Sequence, residues 1–231
     1  SLALFLADRL PWSQVHLIVA TFMGVGLLTT FFAPEPVVAA GRPRTLSEAV
    51  WTPLQSFFAL RGWRRAVLVL VFLLFYKLGD TLATSLLTPF YLDIGFTLSE
   101  IAAVAKVAAL GAAVLGGLAG GAIMVKIGIN RALWAFGVMQ LVSILGFVSL
   151  SIIGHDLRAL FAAVAFEYLG VGLGTAAFVA FIARETDRRY TAFQFALLTS
   201  LAGVPAALLT SGAGVVAGAL GWPLFFVACT I

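Results

Sequence analysis

Six stretches, roughly residues 14–33, 66–88, 99–125, 131–153, 158–183 and 192–217, are each long and apolar enough to cross a bilayer as a helix. A seventh apolar stretch opens at Trp222 and reaches Ile231, about half of the ~20 residues that a span needs. Hydrocarbon offers no water to satisfy backbone polar groups, so such a pattern folds as helices that bond internally. The expected fold class is therefore all-α, a polytopic transmembrane helix bundle that is incomplete. Composition agrees, with 62% hydrophobic and only 10% charged residues. The single cysteine, Cys229, excludes an internal disulfide framework, and two isolated histidines, His16 and His155, form no metal cluster. A net charge of +4 calls for no nucleic acid, because the basic residues collect in loops on one side.

Alternate loops show that bias. One side carries Arg42, Arg44, Arg61, Arg64, Arg65, Lys126, Arg131, Arg184, Arg188 and Arg189, while the opposite loops carry only Arg9 and Arg158. The richer side is expected to face the cytoplasm. The longest connection, residues 34–65, opens with Pro34, Glu35 and Pro36 and differs in composition from the spans around it. It suggests a boundary: 1–33 as the end of one helix bundle, 34–65 as a cytoplasmic connection, and 66–231 as a second, six-helix bundle whose last helix is cut short. Within the connection, SEAVWTPLQSFFAL suits a short amphipathic surface helix starting at Ser47, with Pro53 near its start or kinking it.

The stretch VFLLFYKLGDTLATSLLTPFY, residues 71–91, carries Lys77 and Asp80 in mid-span; Lys106 lies in the third span and Glu167 in the fifth. Each charge costs about 2.5 to 3.5 kcal/mol at a helix centre. At ~1.5 Å rise per residue, Lys77 falls near the midplane, Asp80 and Glu167 about 5 Å outward and Lys106 about 9 Å outward. Four charges of zero net sign in one layer point to a solvated pathway for solute or protons. Lys77 and Asp80, at i and i+3, share a face that continues through Thr84 and Thr88. In the competing reading the same charges are buried ion pairs that lock helix register.

Weaker polar candidates are Gln140 in the fourth span and Gln194 at the start of the sixth, each a ligand contact or an interhelical hydrogen bond. Phe178, Phe193 and Phe195 offer faces for stacking on a sugar. Small residues pair at i, i+4 as Gly116 with Gly120, Gly117 with Gly121 and Gly170 with Gly174, which permits close helix contact. Gly203 and Pro205 weaken the sixth helix near mid-membrane, a candidate bend for gating.

The loop GAIMVKIGINRA resembles the glycine, acid, base, glycine, base pattern of the major facilitator superfamily: Gly121, Lys126, Gly128 and Arg131 match, and Val125 stands where the acid belongs. More narrowly, LFYKLGDTLATSLLTPFYLDIGFTLSEIAAVAK, GVGLGTAAFVAFI and YTAFQFALLTSLAGV are similar to the AmpG-type permeases of bacterial cell-wall recycling. That resemblance covers nearly the whole chain. It implies a multi-pass protein of the bacterial inner membrane that imports GlcNAc-1,6-anhydroMurNAc peptides, driven by the proton gradient with no other cofactor, and that feeds beta-lactamase induction. Lys77 and Lys106 would neutralise substrate carboxylates, while Asp80 and Glu167 would handle protons or peptide amines. Its partners would be the muropeptide, the lipid bilayer and an N-terminal half mostly outside these residues. Two rivals stay open: a facilitator for another solute such as acetyl-CoA, and a non-transporting membrane sensor or scaffold. An enzyme is not expected, since no nucleophile with its base and no metal-ligand cluster lies at membrane depth.

Overall fold

The structure, a computed structural model, describes residues 11–33 and 45–230, without the side chains of Leu46 and Ala49. The break at Pro34, Glu35 and Pro36, and the basic residues Arg9, Arg42 and Arg44, lie outside the described residues. The chain divides into two compact units, Ser1–Arg42 and Pro43–Ile231.

In the first unit, α1 (Trp12–Phe32) follows Pro11 and stops where Ala33 turns extended, the conformation favoured for a residue before proline. Leu27, Met23 and Phe31 are largely exposed. The hydroxyls of Thr21, Thr29 and Thr30 donate back to carbonyls of Ile18 and Gly26, which satisfies them without water.

The second unit begins with α2 (Leu46–Arg61), one residue earlier than the sequence suggested, because the Thr45 hydroxyl caps it by accepting from Glu48 N–H. Pro53 sits inside this helix. Five long membrane helices follow: α3 (Trp63–Asp93), α4 (Leu98–Ile127), α5 (Ile129–Ile153), α6 (Leu157–Glu185) and α7 (Thr191–Leu220), then the short α8 (Trp222–Ala228). With α1, six described helices are long and apolar enough to cross a membrane, and their positions agree with the hydropathy reading to within a few residues.

α3 runs in three pieces, Trp63–Tyr76, Leu78–Ser85 and Leu87–Asp93. The second break has a visible cause. Pro89 lacks an N–H and its ring would strike the Ser85 carbonyl, so the chain restarts at Leu87 and the proline occupies the first turn, where donors are unpaired anyway. Hence the helix reaches Asp93 rather than stopping near 88. The first break falls at Lys77, with φ −100° and ψ 0°. The hydroxyls of Thr81 and Thr84, bonding back to Lys77 and Asp80 carbonyls at 2.8 Å, accompany the bend there. α4 opens with a capping box of Thr97 and Glu100, then a π-helical turn over Ile101–Ala105. Gly128, with φ +81°, makes the sharp turn from α4 to α5.

α6 is the most enclosed helix, packed mainly against α4 and then α5. Glycines decide how close these helices come. A Cβ at Gly116 would land on the Leu169 carbonyl, one at Gly172 on the Ala113 carbonyl, and one at Gly120 would lie 3.1 Å from Leu173 Cα. Gly117 and Gly121, by contrast, would each place a Cβ in open space. On the other flank of α6, Gly170 and Gly174 face Gln140 and Ser143 of α5.

The buried apolar residues form two clusters stacked along the helices. One holds Phe90, Tyr91, Phe147, Leu160 and Phe226; the other holds Leu73, Phe136, Leu173, Phe178 and Ile182. On α3, α5 and α6 the sequence between the two clusters contains Lys77, Asp80, Gln140, Ser143 and Glu167. The polar layer thus separates two apolar blocks. α7 remains one continuous helix through Gly203 and Pro205, and a Cβ at Gly203 would touch nothing.

Candidate functional site

The break at Lys77 and the i, i+3 spacing place two opposite charges on one side of α3. Lys77 Nζ lies 3.1 Å from Asp80 Oδ2, and both side chains are largely buried, 17% and 10% exposed. Glu167 on α6 is fully buried. Its Oε2 lies 2.5 Å from Ser143 Oγ on α5, and its carboxyl is within hydrogen-bonding reach of Asp80. The structure therefore brings Lys77, Asp80 and Glu167 together from two helices, with Ser143 from a third.

Lys106 stands apart. It is exposed on α4, off the buried stripe of Ala108, Ala112, Gly116 and Gly120, and makes no ion pair among the described residues. Thr84 spends its hydroxyl hydrogen on its own helix, at the Asp80 carbonyl. Gln140 is buried in the layer: the absent side chains of Gly170 and Gly174 make room for it, and a Cβ at Gly174 would strike its amide oxygen. Its Nε2 has no acceptor among the described residues. A groove of about 1050 Å³ between α3, α5 and the end of α8 reaches Asp80 and Gln140; its walls, including Leu68, Phe75 and Trp134, are mostly apolar. Phe178 lies in the core with its ring parallel to Tyr76 at 5.4 Å, and Tyr76 donates to the Leu133 carbonyl.

Gln194 sits elsewhere, at the basic end. Its Nε2 donates to Pro53 O at 2.8 Å and to Ser56 Oγ at 2.9 Å, and its Oε1 accepts from Asp187 N–H at 2.6 Å. It ties α2 to α7 and to the loop before it, which is an interhelical role. Beside it, Arg61 on α2 pairs with buried Glu185 at 2.8 Å and donates also to the Glu185 carbonyl, with Arg184 and Arg65 at 3.3 and 3.9 Å. Arg189 holds Asp187 at 2.8 Å, and its hydrogen bonds keep the Asp187 carboxyl below its ordinary range. Sequence reading missed this cluster. Its signal was an acid, Glu185, embedded among the basic residues Arg184, Arg188 and Arg189 at the end of a span. In the loop between α4 and α5, Val125 is 88% exposed where an acid would stand, and neither Lys126 nor Arg131 makes an ion pair among the described residues.

Six apolar helices with an ionic layer buried at mid-depth define a multi-pass membrane protein. Residues 1–210 match the Major Facilitator Superfamily, and the chain belongs to that family. It is 46% identical over 237 residues to an uncharacterized protein of Haemophilus influenzae, covering 99% of this chain and 56% of the relative. It is 39% identical over 228 residues to the anhydromuropeptide permease of Escherichia coli K12, covering 98% of this chain and 46% of that protein; the O157:H7 protein of the same name matches equally. The chain thus spans about half the length of these relatives.

Proposed function

We propose that the protein bearing this chain is a proton-coupled importer of anhydromuropeptides across the bacterial inner membrane, serving peptidoglycan recycling and, through it, beta-lactamase induction. Membership of the facilitator superfamily and likeness to the Escherichia coli anhydromuropeptide permease support this reading. The observation that carries it is the charged layer. Lys77, Asp80 and Glu167 lie between two apolar blocks where hydrocarbon-facing helices have no use for them.

In this account the Lys77 ammonium counters a carboxylate of the peptide when Asp80 lets it go, and Asp80 and Glu167 take up and release the driving proton. Lys106, exposed on α4, supplies a second cation to the solute. Gln140 contributes an amide hydrogen to a hydroxyl or amide of the sugar-peptide. α7, a continuous helix here, bends at Gly203 and Pro205 during the cycle to gate the path, since Pro205 leaves the Leu201 carbonyl without its helical donor.

Membrane vesicles carrying the protein, given radiolabelled anhydromuropeptide with and without a proton-collapsing ionophore, test the reading. Accumulation that the ionophore abolishes supports it. Accumulation that the ionophore leaves intact removes the proton drive, and no accumulation in either arm removes the substrate.

A further inference from the structure

We infer that Asp80 and Glu167 act as a single proton-binding site that holds one proton between Asp80 Oδ1 and Glu167 Oε1, rather than as two independent acids.

Counting hydrogens leads there. Asp80 Oδ2 accepts from the Lys77 ammonium at 3.1 Å. Glu167 Oε2 lies 2.5 Å from Ser143 Oγ, which is also 2.9 Å from the Gln140 carbonyl, and serine has one hydrogen for the two. The remaining oxygens, Asp80 Oδ1 and Glu167 Oε1, are buried and have no donor among the described residues. Yet the two carboxyls are within hydrogen-bonding reach of each other. Two carboxylates so placed would face one another with no hydrogen between them; a single proton satisfies both orphaned oxygens at once.

Charge leads to the same place. Lys106 is exposed on α4, so among the described residues the buried layer holds one cation and two acids. One shared proton makes it neutral. No proton leaves a net buried anion, and two protons leave the Lys77 ammonium without a counter-charge. Among the described residues the other titratable groups near the pair are the phenols Tyr76 on α3, Tyr91 at the far end of α3 and Tyr168 on α6, with the buried Cys229 at the end of α8 packed against Gly79. Tyr91 Oη is itself buried and unpartnered among the described residues. α7 packs on α3 and carries no titratable side chain from Thr191 to Leu220. The proton therefore belongs to the pair. Within the proton-driven reading above, on which this consequence rests, each cycle carries one proton.

Infrared spectroscopy of the protein in lipid nanodiscs at neutral pH, without solute or gradient, reads the protonated-carboxyl stretch and its shift in deuterium oxide. The expected result is one protonated carboxyl per protein, absent in both Asp80→Asn and Glu167→Gln, since either variant leaves Lys77 with one carboxylate and the layer neutral. Asp80→Glu, which keeps both acids, retains the band and controls for folding. No band in the wild type, a band of two carboxyls, a band that survives either amide variant, or its loss in Asp80→Glu would overturn the shared site. Because no transport is measured, a band without ionophore-sensitive uptake would keep the shared proton and reject the proton-driven carrier.

Discussion

Arg61 Nε lies 2.8 Å from Glu185 Oε2, joining the last residue of α2 to the last residue of α6 across 124 positions of sequence. Glu185 is only 4% exposed, so removing its main partner strands a buried charge. Arg184 at 3.3 Å offsets part of that loss. Arg61→Ala is expected to cost about 2 to 3 kcal/mol, with the Arg61→Ala, Glu185→Gln pair costing less than the sum of the singles. Thermal unfolding in detergent measures both; additive losses would mean that the two side chains do not interact.

Gln194 makes a second tie between α2 and the bundle. Gln194→Leu keeps the volume roughly but abandons the Pro53 carbonyl, the Ser56 hydroxyl and the Asp187 N–H. A loss of about 1 to 3 kcal/mol is expected, together with faster hydrogen exchange in α2, residues 46–61. Exchange confined to α7 with α2 unaffected would contradict the tie.

Glycines on α4 give a matched pair. Gly116→Ala drives a methyl onto the Leu169 carbonyl at the α4–α6 contact, while Gly117→Ala adds the same methyl in open space. The first is expected to destabilise by about 1 to 3 kcal/mol and the second to leave the melting temperature nearly unchanged. Equal effects would place the contact on the wrong face of α4.

Asp187 makes stability depend on acid. Hydrogen bonds from Arg189 lower its folded pKa beneath the ordinary 3.8. A depressed acid contributes stability above its unfolded pKa and loses it as pH falls through the folded value, so the window lies below about pH 4. Wild type is expected to melt above Asp187→Asn near neutrality, with the two curves converging as pH drops through that window. Parallel curves over the whole range would show that the Arg189 contact contributes nothing.

The spans were legible because each is a long apolar run, and most turns because glycine marks them, the charged turn between α6 and α7 excepted; Pro89 even accounts for the restart at Leu87. The break at Lys77 was not legible, having no proline behind it. The layer was half legible: depth along a helix follows from counting residues, but rotation about the helix does not when a span is apolar all round. That is why Lys106 was grouped with the buried charges although it faces away from the α4 stripe that packs on α6. The same limit hid which glycine pair of α4 is the contact. Ser143 and the Arg61–Glu185 tie were out of reach for a different reason, since each depends on a partner brought near only by packing.

The most direct test of the account asks whether the buried acids drive transport. Ionophore-sensitive uptake of radiolabelled anhydromuropeptide is compared in vesicles bearing wild-type protein, Asp80→Asn and Glu167→Gln, at matched protein levels. Each substitution alone is expected to reduce proton-driven accumulation to that of vesicles lacking the protein. Undiminished, ionophore-sensitive accumulation by both variants would contradict it and leave the charged layer as scaffolding.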